Sequence, residues 1–367
     1  MSEGEADGAE DSSQRWSGVS GSSNEDSAAI SCALGTSQRH MPPLPELHSA
    51  AFSRRGSVPE MDTGEAVAVA QMRRAASVHS METLFAAPWQ TMAQQPPCSP
   101  PVTDEFELCC RLSRARQTVD FVQRTRGRSA SLDKARIAVP QALLLLRCVP
   151  PVVQALLTGE AGPPAAHLRP ALHMATAMLR AHPDQPWFAL VGLVHSLGRL
   201  LLLPAFGGHP TWSVCGESFP VGCRFDPRVS YAHYFGANPD RRKRALGTPF
   251  GCYSPGCGLA EVDMCWSADE YLFEVLCRNR APLPPAALFC VRYGSFCSLG
   301  TGAAAYEALM SETEREALPW LHRLRAFKRD AYAATAGQPE VGAEDGAREI
   351  AAFGQLFEQL CPGALRW

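Results

Sequence analysis

The chain has 367 residues, of which 46% are hydrophobic and 19% charged, with a formal net charge of −3 at pH 7. This apolar content is ample for one sizeable folded core, and the lack of a basic excess argues against a nucleic-acid or anionic membrane surface. No apolar run reaches the ~20 residues that a membrane span requires, and the acidic start MSEGEADGAEDSS does not resemble a secretory or transit signal. We therefore expect a cytoplasmic protein whose partners include no nucleic acid and no membrane.

The first part of the chain has the composition of a disordered tail. Residues 1–103 are rich in Ser, Ala, Gly, Pro and Glu, and their apolar residues follow no sustained period. Such a segment cannot bury enough apolar surface to offset the entropy of ordering it. The sequence therefore predicts a disordered tail over residues 1–103 and a folded domain over residues 104–367.

Three short motifs in and just after this tail place an Arg three residues before a Ser. They are RRGSVPE at 54–60, RRAASVHS at 73–80 and RGRSASLD at 126–133. Basic-directed protein kinases select this pattern, which makes Ser57, Ser77 and Ser131 candidate phosphorylation sites. Pro59 follows Ser57 by two residues, as in phosphoserine motifs that 14-3-3 proteins bind. The alternative is that such Arg/Ser clusters arise by chance in a low-complexity segment.

From residue 104 onward, apolar residues recur at the three-to-four spacing of amphipathic helices. The predicted helices cover 104–125, 163–182, 183–203, 260–279, 284–296, 313–334 and 344–361. Pro170 is expected near the start of the second helix, where its missing N–H costs nothing, and the third is apolar on nearly all sides, hence central. Residues 209–257 are rich in Gly, Pro and aromatic residues, which predicts ordered loops with a short hairpin. The predicted fold class is all-α.

The sequence contains 14 cysteines, but no Cys-x-x-Cys motif. Cys252 and Cys257 come nearest to a ligand pair, and the scattered remainder predicts small buried thiols in a reducing compartment. The sequence also has no Gly-x-Ser-x-Gly motif, no recognisable Cys/His nucleophile and no Gly-rich phosphate loop after a strand. These absences argue against the corresponding hydrolase and nucleotide-dependent classes.

Segments of the folded region follow one another in the order and spacing of a known family. They are RQTVDFV (116–122), AHPDQPWFALVGLVHSLGR (181–199), WSVCGESFPVGCR (212–224), CGLAEVDMCWSADEY (257–271), LPPAALFCVRYGSF (283–296), LPWLHRLRAFK (318–328) and LCPGALRW (360–367). They closely resemble myo-inositol oxygenase over nearly all of residues 105–367. The resemblance implies a compact helical fold of the HD-domain type. It also implies an activity in which a non-haem di-iron centre uses O2 to cleave the inositol ring to glucuronate.

The metal ligands that this resemblance implies are largely replaced. The family binds its two irons through four His and two Asp, and only His195 matches one of them. The other five positions hold Pro170, Ser196, Ala268, Gly294 and Lys328. His167 and His173 lie within about one helical turn, or about 5.4 Å, of the first lost position, a displacement too large for a substitute ligand. We therefore expect no bound cofactor and interpret His195 as a hydrogen-bonded core histidine inside a wet or apolar remnant pocket.

The substrate-binding positions that the resemblance implies are altered as well. Arg199 replaces a Lys, the pair Gly216-Glu217 replaces Gly-Asp, Ser295 matches, and Tyr332 replaces a second Lys. We interpret the chain as a family member that retains the fold but not catalysis, a pseudoenzyme that binds a protein partner or a polyol. The alternative is an active inositol oxygenase that converts myo-inositol and O2 to D-glucuronate in inositol catabolism.

Overall fold

Residues 104–159, 162–300 and 305–367 are described by the structure, a computed structural model. The tail over residues 1–103, with Ser57 and Ser77, lies outside these described residues, so its predicted disorder stays a prediction. Within the described ranges, no helix is both long enough and apolar enough to cross a membrane.

The described chain is mainly helical, which confirms the predicted class. Its α-helices are α1 (Asp104–Arg116), α2 (Val119–Ser129), α3 (Val139–Leu145), α4 (Ala155–Thr158), α5 (Leu168–Ala181), α6 (Pro186–Val194), α7 (Ala268–Arg278), α8 (Pro285–Tyr293), α9 (Glu312–Ala334), α10 (Ala343–Ala351) and α11 (Gly354–Leu360). Short 3-10 helices cover Leu146–Cys148, Leu197–Leu202, Pro204–Phe206, Thr211–Ser213, Ala232–Ala237, Pro239–Arg242, Arg244–Leu246, Leu259–Glu261 and Ala305–Leu309.

Two small antiparallel ladders, which the sequence pattern does not predict, join distant parts of the chain. Strand β1 (Arg136–Ala138) pairs with β4 (Ala364–Arg366), with Ile137 opposite Leu365. Strand β2 (Val152–Val153) pairs with β3 (Pro164–Ala165), with Val152 opposite Ala165. These strands are too short to carry a period-two signal, so only the folded chain reveals them.

The helix predicted over residues 104–125 is in fact two helices, α1 and α2. Thr118 caps α2, because its hydroxyl accepts a hydrogen bond from the Phe121 amide at 3.1 Å. The neighbouring Gln117 side chain pairs with the Trp266 backbone, donating from Nε2 to the carbonyl at 2.7 Å and accepting from the amide at 3.0 Å. A capping residue and a long-range contact therefore interrupt a helical pattern that looks continuous in the sequence.

The central helix is also shorter than predicted, and this determines where the candidate site lies. Helix α6 ends at Val194, and the chain continues as the 3-10 helix Leu197–Leu202, so His195 and Ser196 occupy the junction. Gly198 lies directly against the start of α7, since a Cβ at this position would be 1.9 Å from the Ala268 carbonyl oxygen. Gly198 has no side chain, and this allows the junction to lie directly against Ala268.

Two further predicted elements differ from the structure. The helix predicted over residues 344–361 is divided into α10 and α11, which are separated by two residues in a turn. The hairpin predicted within residues 209–257 is wrong, because that region folds as loops and short 3-10 helices. Its nearest β contact is an isolated antiparallel bridge between Pro220 and Met264.

The core forms around α6, which packs along α5 and is buried at every residue from Trp187 to Val194. Next to this apolar core lies a buried ionic group in which Glu270 of α7 joins two arginines. Its Oε1 accepts from Arg126 Nη2 at 2.6 Å, and its Oε2 accepts from Arg292 Nε at 2.8 Å. Arg292 also donates to the carbonyls of Leu259 and Val262. These bonds hold α2, α7, α8 and the loop before α7 together.

Replacement of Glu270 tests how much this group stabilises the fold. The Glu270→Gln variant removes the carboxylate that pairs with the buried Arg292, while Arg126 keeps Asp263 and Glu274, so we expect the free energy of unfolding to fall by about 3–5 kcal/mol. Urea denaturation followed by circular dichroism measures the change. The control is Asp120→Asn, which removes an exposed carboxylate that pairs with Arg124 on the same helix as Arg126 and should change nothing measurable. A loss below about 1 kcal/mol in the Glu270 variant would contradict this account.

Candidate functional site

His195 is a buried histidine with both ring nitrogens engaged. Its Nδ1 lies 2.7 Å from the Gly192 carbonyl, which can only accept, so Nδ1 carries the proton. Nε2 is then the acceptor and lies 3.1 Å from the Ser196 hydroxyl. Burial lowers the pKa of His195 well below 6.5, and the nearby charges of Lys328 and Arg199 lower it further. The imidazole is therefore neutral, and its free lone pair is directed to Ser196.

Arg199 places a buried positive charge next to this histidine, with only 4% of its surface exposed. Its Nη1 lies 2.9 Å from the Ser196 hydroxyl, 2.6 Å from the Tyr332 hydroxyl and 3.1 Å from His167 Nδ1. His167 donates from Nε2 to the Pro150 carbonyl at 3.0 Å, which leaves Nδ1 as an acceptor. Burial, followed by the charge of Arg199, lowers the pKa of His167 to about 4. A single guanidinium thus lies among neutral polar groups.

Lys328 brings a second cation to the same region, from α9. It is 7% exposed, and its ammonium group lies 3.5 Å from the Ser295 hydroxyl. The Ser295 amide donates to the Asp269 carboxylate at 2.8 Å, so Asp269, Ser295 and Lys328 form one polar group. Burial raises the pKa of Asp269, although Lys328 opposes this shift, and burial lowers the pKa of Lys328, although Asp269 opposes it. Asp269 therefore only partly offsets the charges of Lys328 and Arg199.

These side chains do not fit a pair of iron ions. In the part of the chain that the structure describes, no three His, Cys, Asp or Glu side chains are grouped so that they could hold a metal ion. The lone pair of His195 already accepts from Ser196, and two buried cations lie close by. A like-charge pair at 4 Å costs on the order of 4 kcal/mol per unit charge even at an effective dielectric of 20. The side chains around His195 form a hydrogen-bonded polar cluster, and the wet or apolar pocket expected there stays a prediction.

The remaining positions from the sequence comparison are distributed around this cluster. Pro170 is buried in the first turn of α5, and Ala268 begins α7. Gly294 follows α8, and a Cβ on it would be 3.1 Å from the Cys290 carbonyl and 3.5 Å from Asp269 Oδ2. The structure therefore offers little room for a side chain at position 294.

Gly216 and Glu217 contribute to loop structure. Gly216 has a φ of 109°, a conformation that favours glycine, and its amide donates to the Leu156 carbonyl. Glu217 accepts from the amides of Ser230 at 2.7 Å and Ser298 at 3.2 Å. Its carboxylate oxygens thus join two loops, and Oε2 also lies 3.7 Å from Arg114 Nη2. Outside the site, Ser131 is exposed in the turn after α2.

The cysteines are only partly as predicted. The free thiols of Cys109, Cys110, Cys223, Cys265, Cys290 and Cys361 are buried, whereas Cys148, Cys252 and Cys297 are exposed. Burial raises the pKa of Cys265 to about 12, so this thiol is protonated at neutral pH. Cys257 is half-buried, and its Sγ lies 3.5 Å from the Gly258 carbonyl oxygen.

The sequence did not reveal that Arg199 and Tyr332 are partners. In the sequence each stands as a separate replacement of a family Lys, and the folded chain places their functional groups 2.6 Å apart. His167 is hydrogen-bonded by Arg199 and to the Pro150 carbonyl, whereas His173 is exposed. The sequence shows that several implied family positions hold other residue types, in and beyond the segment 181–199. It does not show which of these side chains are in contact in the folded chain.

The fold and this cluster define a mainly helical protein whose interior holds a buried polar cluster with two cations. Residues 104–367 match the family model described as Myo-inositol oxygenase, and the chain belongs to that family. It is 37% identical over 257 residues to Inositol oxygenase 4 of Arabidopsis thaliana, and the aligned residues cover 70% of this chain and 77% of that relative. It is 35% identical over 273 residues to the Inositol oxygenase of Rattus norvegicus, with 73% of this chain and 89% of the relative covered.

The buried His167 makes stability depend on pH in a predictable direction. Its pKa is lower in the folded protein, about 4, than in the unfolded chain, so below pH 6.5 the unfolded state binds the extra proton. Stability is therefore lost as the pH falls, and His167 accounts for about 2 kcal/mol between pH 7 and pH 5. We expect urea unfolding of His167→Gln to lose that much less over this interval. The exposed His173→Gln is the control, and identical pH dependences for wild type and His167→Gln would contradict the assignment.

Proposed function

We propose that this chain is a non-catalytic member of the inositol oxygenase family that acts by binding. The observation that supports this most directly is the buried Arg199 guanidinium, which donates a hydrogen bond to Ser196. Ser196 occupies the position at which the family has a bridging Asp. A guanidinium is always charged and has no acceptor, so it cannot ligate a cation. Lys328, at the second lost Asp position, adds another charge of the same sign.

The loss of both carboxylates decides the chemistry available to this site. Two bridged iron ions need anionic ligands to balance their charge, and Ser196 and Lys328 supply none. Removal of a single outer-shell partner typically lowers metal affinity or activity by about 10–100-fold, whereas five inner-sphere positions are replaced in this chain. The residues therefore favour a site that excludes metal ions and does not activate O2.

The alternative function is inositol oxygenase activity itself. The names of the relatives at 35–37% identity favour it, because each of them is called an inositol oxygenase. For this chain to be active, His195 would have to exchange its bond from Ser196 for a metal ion. Lys328 would also have to leave the site, whereas a cation at position 199 is compatible with the family, which has a Lys there. The proposal and its alternative therefore differ in measurable iron content.

Iron loading and turnover distinguish the two functions. The purified chain should take up no stoichiometric iron when incubated anaerobically with Fe(II), and it should form no glucuronate from myo-inositol after O2 is admitted. The rat Inositol oxygenase, treated in parallel, is the positive control. Thermal unfolding should be unaffected by a chelator, because the helices keep the apolar faces that pack the core. Near-stoichiometric di-iron with turnover would establish the alternative instead.

We further propose that the binding function involves the N-terminal tail, through a basic-directed kinase and a phosphoserine reader of the 14-3-3 type. The support is the sequence RRGSVP around Ser57, together with the related motifs around Ser77 and Ser131. Phosphorylation would give each serine about −1.5 to −2 charges and strong acceptors for an arginine cluster. A protein partner or a polyol at the folded domain completes the proposed set of ligands.

The Ser57 motif can be tested with peptides. A peptide spanning residues 51–63 with phosphorylated Ser57 should bind a 14-3-3 protein at least about tenfold more tightly than the unmodified peptide, because the phosphate forms charge-assisted bonds. Fluorescence anisotropy measures the affinities. A phosphopeptide with Pro59→Ala separates the contribution of proline from that of phosphate. Equal affinities for the phosphorylated and unmodified peptides would refute the motif.

A further inference from the structure

A cavity of about 720 Å³ lies in the loop region between α6 and α7. Its lining residues all come from residues 223–247, and none belongs to the cluster around His195. The volume is within the range of about 300–1,000 Å³ that small-molecule sites usually occupy. We refer to it as the loop cavity.

The apolar lining of the loop cavity is a packed group of aromatic rings. Phe225 and Phe235 stack with their centroids 4.0 Å apart and their planes within 3°. Phe219, which does not itself line the cavity, packs edge-on against Phe235 at 4.9 Å and is fully buried. Such an arrangement offers a firm surface to a planar or apolar part of a ligand.

The backbone around the loop cavity is fixed by contacts that do not require a ligand. The Arg224 amide donates to the Thr248 carbonyl at 3.0 Å and closes the base of the loop. The Asn238 side chain donates to the carbonyls of Arg114 and Gln117, which ties the loop to α1. Tyr231, which lines the cavity, has a φ of 57°, a conformation that costs energy in a residue other than glycine. The loop is therefore a pre-formed wall that tolerates local strain.

Basic side chains outnumber acidic ones among the residues that line the loop cavity. Three arginines, Arg224, Arg228 and Arg241, line the cavity. Arg228 is neutralised by Asp226, with an Nη2–Oδ2 distance of 2.6 Å, and the lining carboxylate of Asp240 pairs with Lys243 at 2.8 Å. Arg224 and Arg241 are exposed, and neither side chain has a hydrogen bond or an ion pair with another described residue. Two of the lining arginines therefore have no ion-pair partner among the described residues.

We propose that the loop cavity binds a small phosphate monoester that carries a planar or apolar group. The phosphate lies between Arg224 and Arg241, and the rest of the ligand lies against Phe225 and Phe235. Guanidinium groups bind phosphate through charge-assisted, often bidentate, hydrogen bonds. Two uncompensated guanidinium groups match the nearly two negative charges of a phosphate monoester at neutral pH better than the single charge of a carboxylate. The loop cavity is independent of the metal question, so its test does not depend on the proposed loss of catalysis.

Titration calorimetry on the full chain tests the loop cavity with two planar phosphate monoesters, adenosine 5′-monophosphate and 4-nitrophenyl phosphate. At least one should bind more tightly than both inorganic phosphate and its own phosphate-free parent, adenosine or 4-nitrophenol. The double variant Arg224→Gln/Arg241→Gln should weaken that binding by about tenfold or more, since it removes charge-assisted bonds.

The matched control is Arg242→Gln/Arg244→Gln, which removes the same charge from two exposed neighbours that do not line the cavity. It should leave the affinity within about twofold, because long-range attraction between exposed charges is screened by salt. Equal weakening in both double variants would overturn the proposal in favour of diffuse attraction. Absence of binding by both monoesters at millimolar concentration, or binding no tighter than that of inorganic phosphate, would overturn it as well. Thermal unfolding of each variant verifies that the fold is intact.

Discussion

The buried carboxylate of Glu270 is the interaction on which the arrangement of this protein depends. It lies between Arg126 and Arg292, and so it connects α2, α7 and α8 in the interior. Arg292 in turn holds the loop that leads into α7 through bonds to the carbonyls of Leu259 and Val262. A charge buried this deeply is tolerable only when it is paired and hydrogen-bonded, so these elements can adopt very few alternative arrangements. Ala268 and Asp269 immediately precede Glu270, and their positions follow from it.

The replaced residues around His195 form a mutually consistent set. Ser196 accepts from Arg199, Arg199 also donates to Tyr332, and His167 completes the acceptors of the guanidinium. On the other side, Ser295 lies between Asp269 and Lys328. Each of these buried side chains therefore has a hydrogen-bond partner, which avoids the cost of about 1–3 kcal/mol for an unsatisfied donor or acceptor.

The fold can survive these changes because the apolar core and the polar cluster use different residues. Helix α6 is buried along its length by packing against α5 and its other neighbours, and this packing requires apolar residues of suitable volume. Ala268 belongs to that apolar core, whereas Ser196 and Lys328 belong to the polar cluster. The family framework is retained at 35–37% identity, although five of the implied ligand positions hold other residue types.

The sequence alone determined the family, the helical class and the identity of the residues at every implied ligand position. These follow from local composition, spacing and a resemblance that extends over most of residues 105–367. It could not determine where helices break, because Thr118 caps α2 and Gln117 binds the distant Trp266 only in the folded chain. Nor could it show that Arg199 meets Tyr332, or that Arg224 and Arg241 share a cavity. Those arrangements depend on contacts between residues far apart along the chain, and only the packing of the helices and loops brings them together.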